Sequence, residues 1–189
     1  MSTVLDPPEP VYIFKKVFFL LFALHQRLPL RKSEGEKVPR VPAPSVLPMF
    51  VDNVLPTMSV HLGFVDLSEC TLPALRAWGA TSTATTASTA DADQSTEATK
   101  GGRKKIQEGP SLTRAEAYVV RAATVDAGRI AVERAHALAA PAASDGDNAL
   151  GWLAQMTEAD LDGYLWSVAK DDPELRKVPR MVELGTIMY

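Results

Sequence analysis

The stretch Thr113–Leu138, TRAEAYVVRAATVDAGRIAVERAHAL, opens on Thr113-Arg-Ala-Glu116. At that spacing a Thr side chain and a Glu three residues on satisfy each other's backbone donors at a helix start. Behind the cap the composition is rich in Ala, and Val120, Ala123, Ala127, Ile130 and Leu138 fall near one helical face. One long helix is predicted, broken by the Pro/Ser/Asp/Gly loop Pro141–Asn148. A second cap, Thr157-Glu-Ala-Asp160, starts a last helix whose Leu161, Tyr164, Leu165 and Val168 recur at i, i+3, i+4 and i+7, a predicted buried stripe. Asp171-Asp172-Pro173 ends it, because Pro disfavours helical geometry in the residue before it. No hairpin dipeptide sits between alternating runs, so the expected class is mainly α.

Upstream, Tyr12–Leu28 is the most apolar helix candidate, and its core Val17–Leu24 is bracketed by Lys15-Lys16 and His25-Gln26-Arg27. It is far short of the roughly 20 residues that span a bilayer, and Phe18-Phe19-Leu20-Leu21-Phe22 offers no clean polar face for lying on one. The expectation is a buried helix. A Pro-punctuated basic loop, Pro29–Pro44, leads to a second helical pattern near Val54, with Leu55, Met58 and Leu62 in register and Gly63 at the C-terminal stop. Ala80–Thr99 is Ala, Thr and Ser apart from Asp91, Asp93, Gln94 and Glu97. Such a stretch buries too little to offset its ordering entropy, so mobility is expected from Ala80 onward. The basic cluster Lys100–Lys105 continues it as a solvated loop. The organisation read from these shifts is one helical domain, residues 1–79 and 110–189, interrupted by a low-complexity insert at 80–109.

Composition narrows the function classes. In 189 residues, 46% are hydrophobic and 23% charged, ordinary for a folded body. A net charge of -3 provides no basic field to recruit nucleic acid, so no direct nucleic-acid partner is expected. Asp6, Pro7, Pro8, Glu9 and Pro10 stand where a secretory signal would carry basic residues and then an apolar block. The one cysteine, Cys70, has no internal partner, and His25, His61 and His136 are scattered without zinc spacing. A reducing, cytoplasmic setting without a membrane anchor is the expectation; composition leaves the oligomeric state open.

With no Gly-rich phosphate loop, Ser-nucleophile elbow or paired Cys ligands in the chain, carboxylates are the remaining candidates for chemistry. Asp52 follows the apolar run Val46-Leu-Pro-Met-Phe-Val51 and precedes a helix start, beside apolar walls and a positive helix end. A carboxylate so placed suits a nucleophile or the counter-charge of an oxocarbenium ion. The plainer role is that Asp52 or Asn53 caps the helix. Asp162 and Trp166 lie four apart, so an acid and a flat ring share one helical face and could hold a heteroaromatic base. The plainer reading makes Trp166 core and Asp162 a surface acid.

Four segments, taken together, resemble the C-terminal half of the queuosine salvage protein family, N-glycosylases that release the base queuine from queuosine 5'-phosphate. They are Ile13-Phe-Lys-Lys16; Leu47-Pro-Met-Phe-Val-Asp-Asn-Val-Leu-Pro56 running on to His61-Leu-Gly63; Glu116–Val125 around Arg121-Ala-Ala; and Leu161-Asp-Gly-Tyr-Leu-Trp166, leading to Val178-Pro-Arg and Tyr189. The resemblance implies a helical fold similar to DNA glycosylases, present here without the family's N-terminal half and therefore incomplete relative to it. The family's Phe-x-Asp signature matches Phe50-Val51-Asp52. By that match Asp52 would be the catalytic carboxylate, Phe50 would pack on the base, and Asp162 would fall on an acid that contacts queuine. The implied partner is a small nucleotide, and no metal or other cofactor is implied. Asp52-Asn53-Val54 departs from the family's Asp-Tyr-Arg, Gly163 replaces an aromatic and Ser167 an acid, so a phosphate or ribose contact made by that Arg is missing or supplied elsewhere. The alternative expectation is a non-catalytic helical remnant or interaction module that binds queuine or a protein, or self-associates through Phe18, Phe19 and Phe22.

Overall fold

A computed structural model describes residues 14–28, 41–87, 109–139 and 150–185. Among them are five α-helices: α1 (Lys15–Arg27), α2 (Val54–His61), α3 (Pro73–Ala87), α4 (Arg114–Ala139) and α5 (Glu158–Asp171). Strands β1 (Ser111–Leu112) and β2 (Val182–Glu183) pair in parallel, Ser111 opposite Val182 and Leu112 opposite Glu183. The chain is mainly α, as its periodicities predict.

Each helix limit near the site has a local cause. Both predicted capping boxes form: Thr113 Oγ1 accepts from the Glu116 N–H while Glu116 accepts from the Thr113 N–H, and Thr157 and Asp160 repeat the exchange. The short α2 stops where Gly63 takes φ +77, a left-handed conformation that glycine adopts without steric cost. From Val54 to Val60 every residue of α2 is buried, which makes it the central pin of the domain. Leu55 and Met58 are fully buried, each contributing roughly 1.5–3 kcal/mol of hydrophobic stabilisation.

Around that pin the core divides. Val60, Leu75, Trp78, Leu112, Val120 and Met181 form one cluster, drawn from both sides of the 80–109 insert. Met49, Val51, Leu55, Val132, Leu161 and Leu165 form a second that locks the 47–52 stretch against α4 and α5. Gly128 of α4 makes this approach possible, since a Cβ there would sit 2.0 Å from Met49 Sδ. A glycine in a helix interior ordinarily costs about 1 kcal/mol, and here it is the space for Met49 that accounts for it.

Four expectations need correction. The first helix is not buried: none of its residues falls in the buried class, and Phe19 and Leu20 are 62% and 57% exposed. Only a stripe of Phe18, Leu21 and Phe22 packs inward, on Leu47, Phe50 and Ala159. An apolar run shows that a segment can be buried, whereas the neighbours decide how much of its circumference they cover. Second, α3 continues through Ala87, so the segment expected to be mobile from Ala80 begins as helix. Leu75 and Trp78 anchor the first turns, and Ala-rich sequence then extends an existing helix at one hydrogen bond per residue. The rest of that insert, 88–108, lies outside the described residues, as do the loop 140–149 and most of the Pro29–Pro44 loop. Third, the buried stripe of α5 is Ala159, Leu161, Asp162, Leu165 and Ala169, with Tyr164 exposed and Val168 half-buried. Fourth, Ile130 and Leu138 of α4 are exposed, and Arg121, Thr124, Gly128 and Val132 take the inward positions.

Candidate functional site

The stretch from Leu47 to Asp52 belongs to no helix or strand, and a segment without a ladder of its own must find partners for its backbone donors elsewhere. Helix α5 supplies them. The N–H of Phe50 donates to Asp162 Oδ2 at 2.6 Å, and that of Met49 donates to Glu158 Oε2 at 3.3 Å. One turn of α5 therefore sets the height of Phe50 and, two residues on, of Asp52. From the other side, Thr57 Oγ1 accepts from the Met181 N–H at 3.0 Å and ties the C-terminal segment to α2. That tie brings Arg180 beside Met58, where its guanidinium donates to the carbonyls of Ala169 at 2.8 Å and Leu175 at 3.3 Å.

Asp52 performs the capping role and more. Its Oδ1 accepts from the N–H groups of Val54 at 2.7 Å and Leu55 at 3.2 Å, closing the N-terminus of α2. The other oxygen, Oδ2, is held by the ammonium of Lys15. Only 5% of Asp52 is exposed, against 26% of the Lys15 side chain. The positive end of α2, Lys15 and the field of Arg180 thus converge on this one carboxylate.

Asp162 is not the surface acid of the plainer sequence reading but a buried one, 7% exposed. Its pKa is pushed up to about 6, first by burial and further by the charge of Asp52; the Phe50 N–H and Lys15 act in the opposite direction. The structure therefore brings two of the expected site residues, Asp52 and Asp162, within each other's field, and Phe50 is the backbone link between them. The Phe50 ring, 5% exposed, packs against Phe18 and Phe22 with centroids 6.1 Å away in each case. Trp166 does not join this group: it is 39% exposed, and Lys170 Nζ lies 4.0 Å over its ring.

A cavity of about 240 Å³ opens beside this group, between α1, the Pro48–Val51 stretch and α4. Phe18 and Phe50 contribute aromatic wall, and Lys15 and Arg121 are the charged residues lining it. Arg121 is 6% exposed and donates through Nη1 to Glu183 Oε2 at 2.5 Å. On the opposite side of α4 by helical angle, a shallower hollow of about 750 Å³ runs along Phe64, Ile130, Leu138 and Leu153 with Asp126 and Arg134. It has no carboxylate pair. Among the described residues no group of three or more His, Cys, Asp or Glu is placed to hold a metal ion, and no helix is long and apolar enough to cross a membrane.

Sequence reasoning assigned no role to Lys15, Arg121, Arg180 or Glu183. Arg121 carried no usable signal, because one residue past Val120 is about 100° of helical turn and falls off the predicted face. Comparison of the chain with protein-family models, with curated proteins and with solved structures found no match.

Proposed function

We infer that the chain is an N-glycosidase of the queuosine salvage type, hydrolysing queuosine 5'-phosphate to release queuine. The observation that carries this reading is the buried Asp52 and Asp162 pair, joined through Phe50 and set beside a cavity with aromatic and cationic walls. Breaking an N-glycosidic bond leaves the electron pair on the departing base nitrogen and positive charge on C1' and O4' of the ribose. A carboxylate already oriented by two backbone donors loses little reorganisation energy in meeting that charge, as an ion pair or by forming a C1'–O bond that water then hydrolyses. In this scheme Oδ2 of Asp52 is the reacting oxygen, since Oδ1 stays on the helix cap, and Lys15 yields its place as the sugar arrives. Asp162 retains its proton to higher pH than an ordinary carboxyl and supplies a hydrogen bond to the base edge.

The test is release of queuine from queuosine 5'-phosphate by the purified chain, beside Asp52→Asn. Asn preserves an oxygen for the Val54 and Leu55 N–H groups while removing the charge, so loss of turnover in a folded variant separates chemistry from capping. A second reading, a non-catalytic helical module, is favoured by the fact that both Asp52 oxygens are already engaged, one by the α2 cap and one by Lys15. Queuine binding without turnover in the wild-type chain selects that reading.

A further inference from the structure

The buried guanidinium of Arg121 is only half used. Nη1 is spent on Glu183, while Nε and Nη2 have no hydrogen-bond partner among the described residues. Those two nitrogens form a single edge of the guanidinium and project their N–H bonds in parallel, the arrangement that grips two oxygens of one phosphate or carboxylate. Leaving two such donors unpaired in a buried setting is costly, and native proteins seldom do so without a function for them. Arg121 lines the 240 Å³ cavity, and among the residues that line it there is no acid to satisfy the edge or repel an anion. Lys15 adds a second cation to the same wall set.

We propose that the Nε/Nη2 edge of Arg121, closed to solvent in this structure, turns to the cavity as its oxyanion subsite and grips the phosphate of a compact phosphate monoester. At about 240 Å³ the space is below the roughly 300–1,000 Å³ of drug-sized ligand sites, which suits a sugar phosphate rather than a whole dinucleotide or polyanion. Phe18 and Phe50 then enclose the uncharged body of the ligand. In identifying the monoester as the ribose 5-phosphate portion of the nucleotide, the proposal rests on the N-glycosidase reading. It also supplies the anion contact that the Asn53-Val54 departure leaves unassigned.

The experiment follows the side-chain Nε–H resonance of Arg121 in the ¹⁵N-labelled wild-type chain, assigned through bonds to its own backbone, so that no destabilised variant is needed. Ribose 5-phosphate, inorganic phosphate and ribose are titrated in turn. A saturable shift with ribose 5-phosphate, weaker with inorganic phosphate and absent with ribose, is expected. No shift with ribose 5-phosphate in the folded chain, or an equal one with ribose, overturns the proposal, and preference for inorganic phosphate overturns the monoester assignment. In the hydrolysis arm, kcat/KM for queuosine 5'-phosphate should exceed that for the unphosphorylated nucleoside at least roughly tenfold, the value of a charge-assisted bidentate contact. Hydrolysis indifferent to the phosphate overturns the subsite and leaves the glycosidase reading standing. Ribose 5-phosphate binding at Arg121 without any hydrolysis upholds the subsite and removes the glycosidase reading.

Discussion

The backbone N–H of Phe50 donates to Oδ2 of Asp162 at 2.6 Å across 112 residues of sequence, and both groups are buried. This contact makes the acid on α5 and the carboxylate two residues after Phe50 parts of one unit, so a change in either is felt as a change in backbone position as well as in charge.

Titration of Asp162 should be visible in stability. The folded chain keeps its proton up to about pH 6, whereas the unfolded carboxyl releases it near 3.8. Between those values the folded state binds more protons, so this group's contribution to stability falls as pH rises through the window and levels off above it. The loss is on the order of 3 kcal/mol. Urea unfolding of the wild type and Asp162→Asn across pH 4 to 7 checks it: the difference between the two should change through the window and stay constant beyond it.

Asp52 should separate into a structural and a chemical part. Asp52→Ala removes the acceptor for Val54 and Leu55 and is expected to cost about 1 kcal/mol in denaturant unfolding, the usual value of a cap. Asp52→Asn should retain most of that stability. If both variants lose queuine release equally while differing in stability, the charge and not the cap carries the chemistry.

Glycine to alanine should act with opposite signs at two helical sites. Gly128→Ala drives a Cβ into Met49, which is 3% exposed and hemmed in, and should destabilise by about 1–3 kcal/mol despite alanine's better helix propensity. At Gly163 of α5 an added Cβ meets nothing within 4 Å, so Gly163→Ala should stabilise by about 0.5–1 kcal/mol. Midpoints of urea unfolding measured side by side decide both.

The Arg121 and Glu183 pair should show strong coupling. Glu183→Ala leaves a guanidinium buried without its counter-charge and should cost about 3–5 kcal/mol. Replacing both residues by apolar ones of similar size, Arg121→Met with Glu183→Leu, should cost less than either single change. A double-mutant cycle in which the two effects simply add would contradict this.

What the sequence determined by itself is local. The Thr113 and Thr157 caps, the Gly63 stop and the Asp172-Pro173 end are legible because each depends on residues within about one turn of the backbone groups they satisfy. A cap at Asp52 or Asn53 was legible for the same reason, as was the long helix in Thr113–Leu138, and the structure gives the cap to Asp52. Tertiary structure alone decided which faces those helices bury. An apolar α1 is left largely exposed, the α5 stripe admits Asp162 and releases Tyr164, and α4 turns Arg121 inward while Ile130 and Leu138 face out. It also decided the pairings that build the candidate site, Lys15 with Asp52 across 37 residues, Arg121 with Glu183 across 62 and Phe50 with Asp162 across 112. Periodicity records how apolar a face is, but a buried charge is set by the partner that meets it, and that partner is brought by the packing of distant segments.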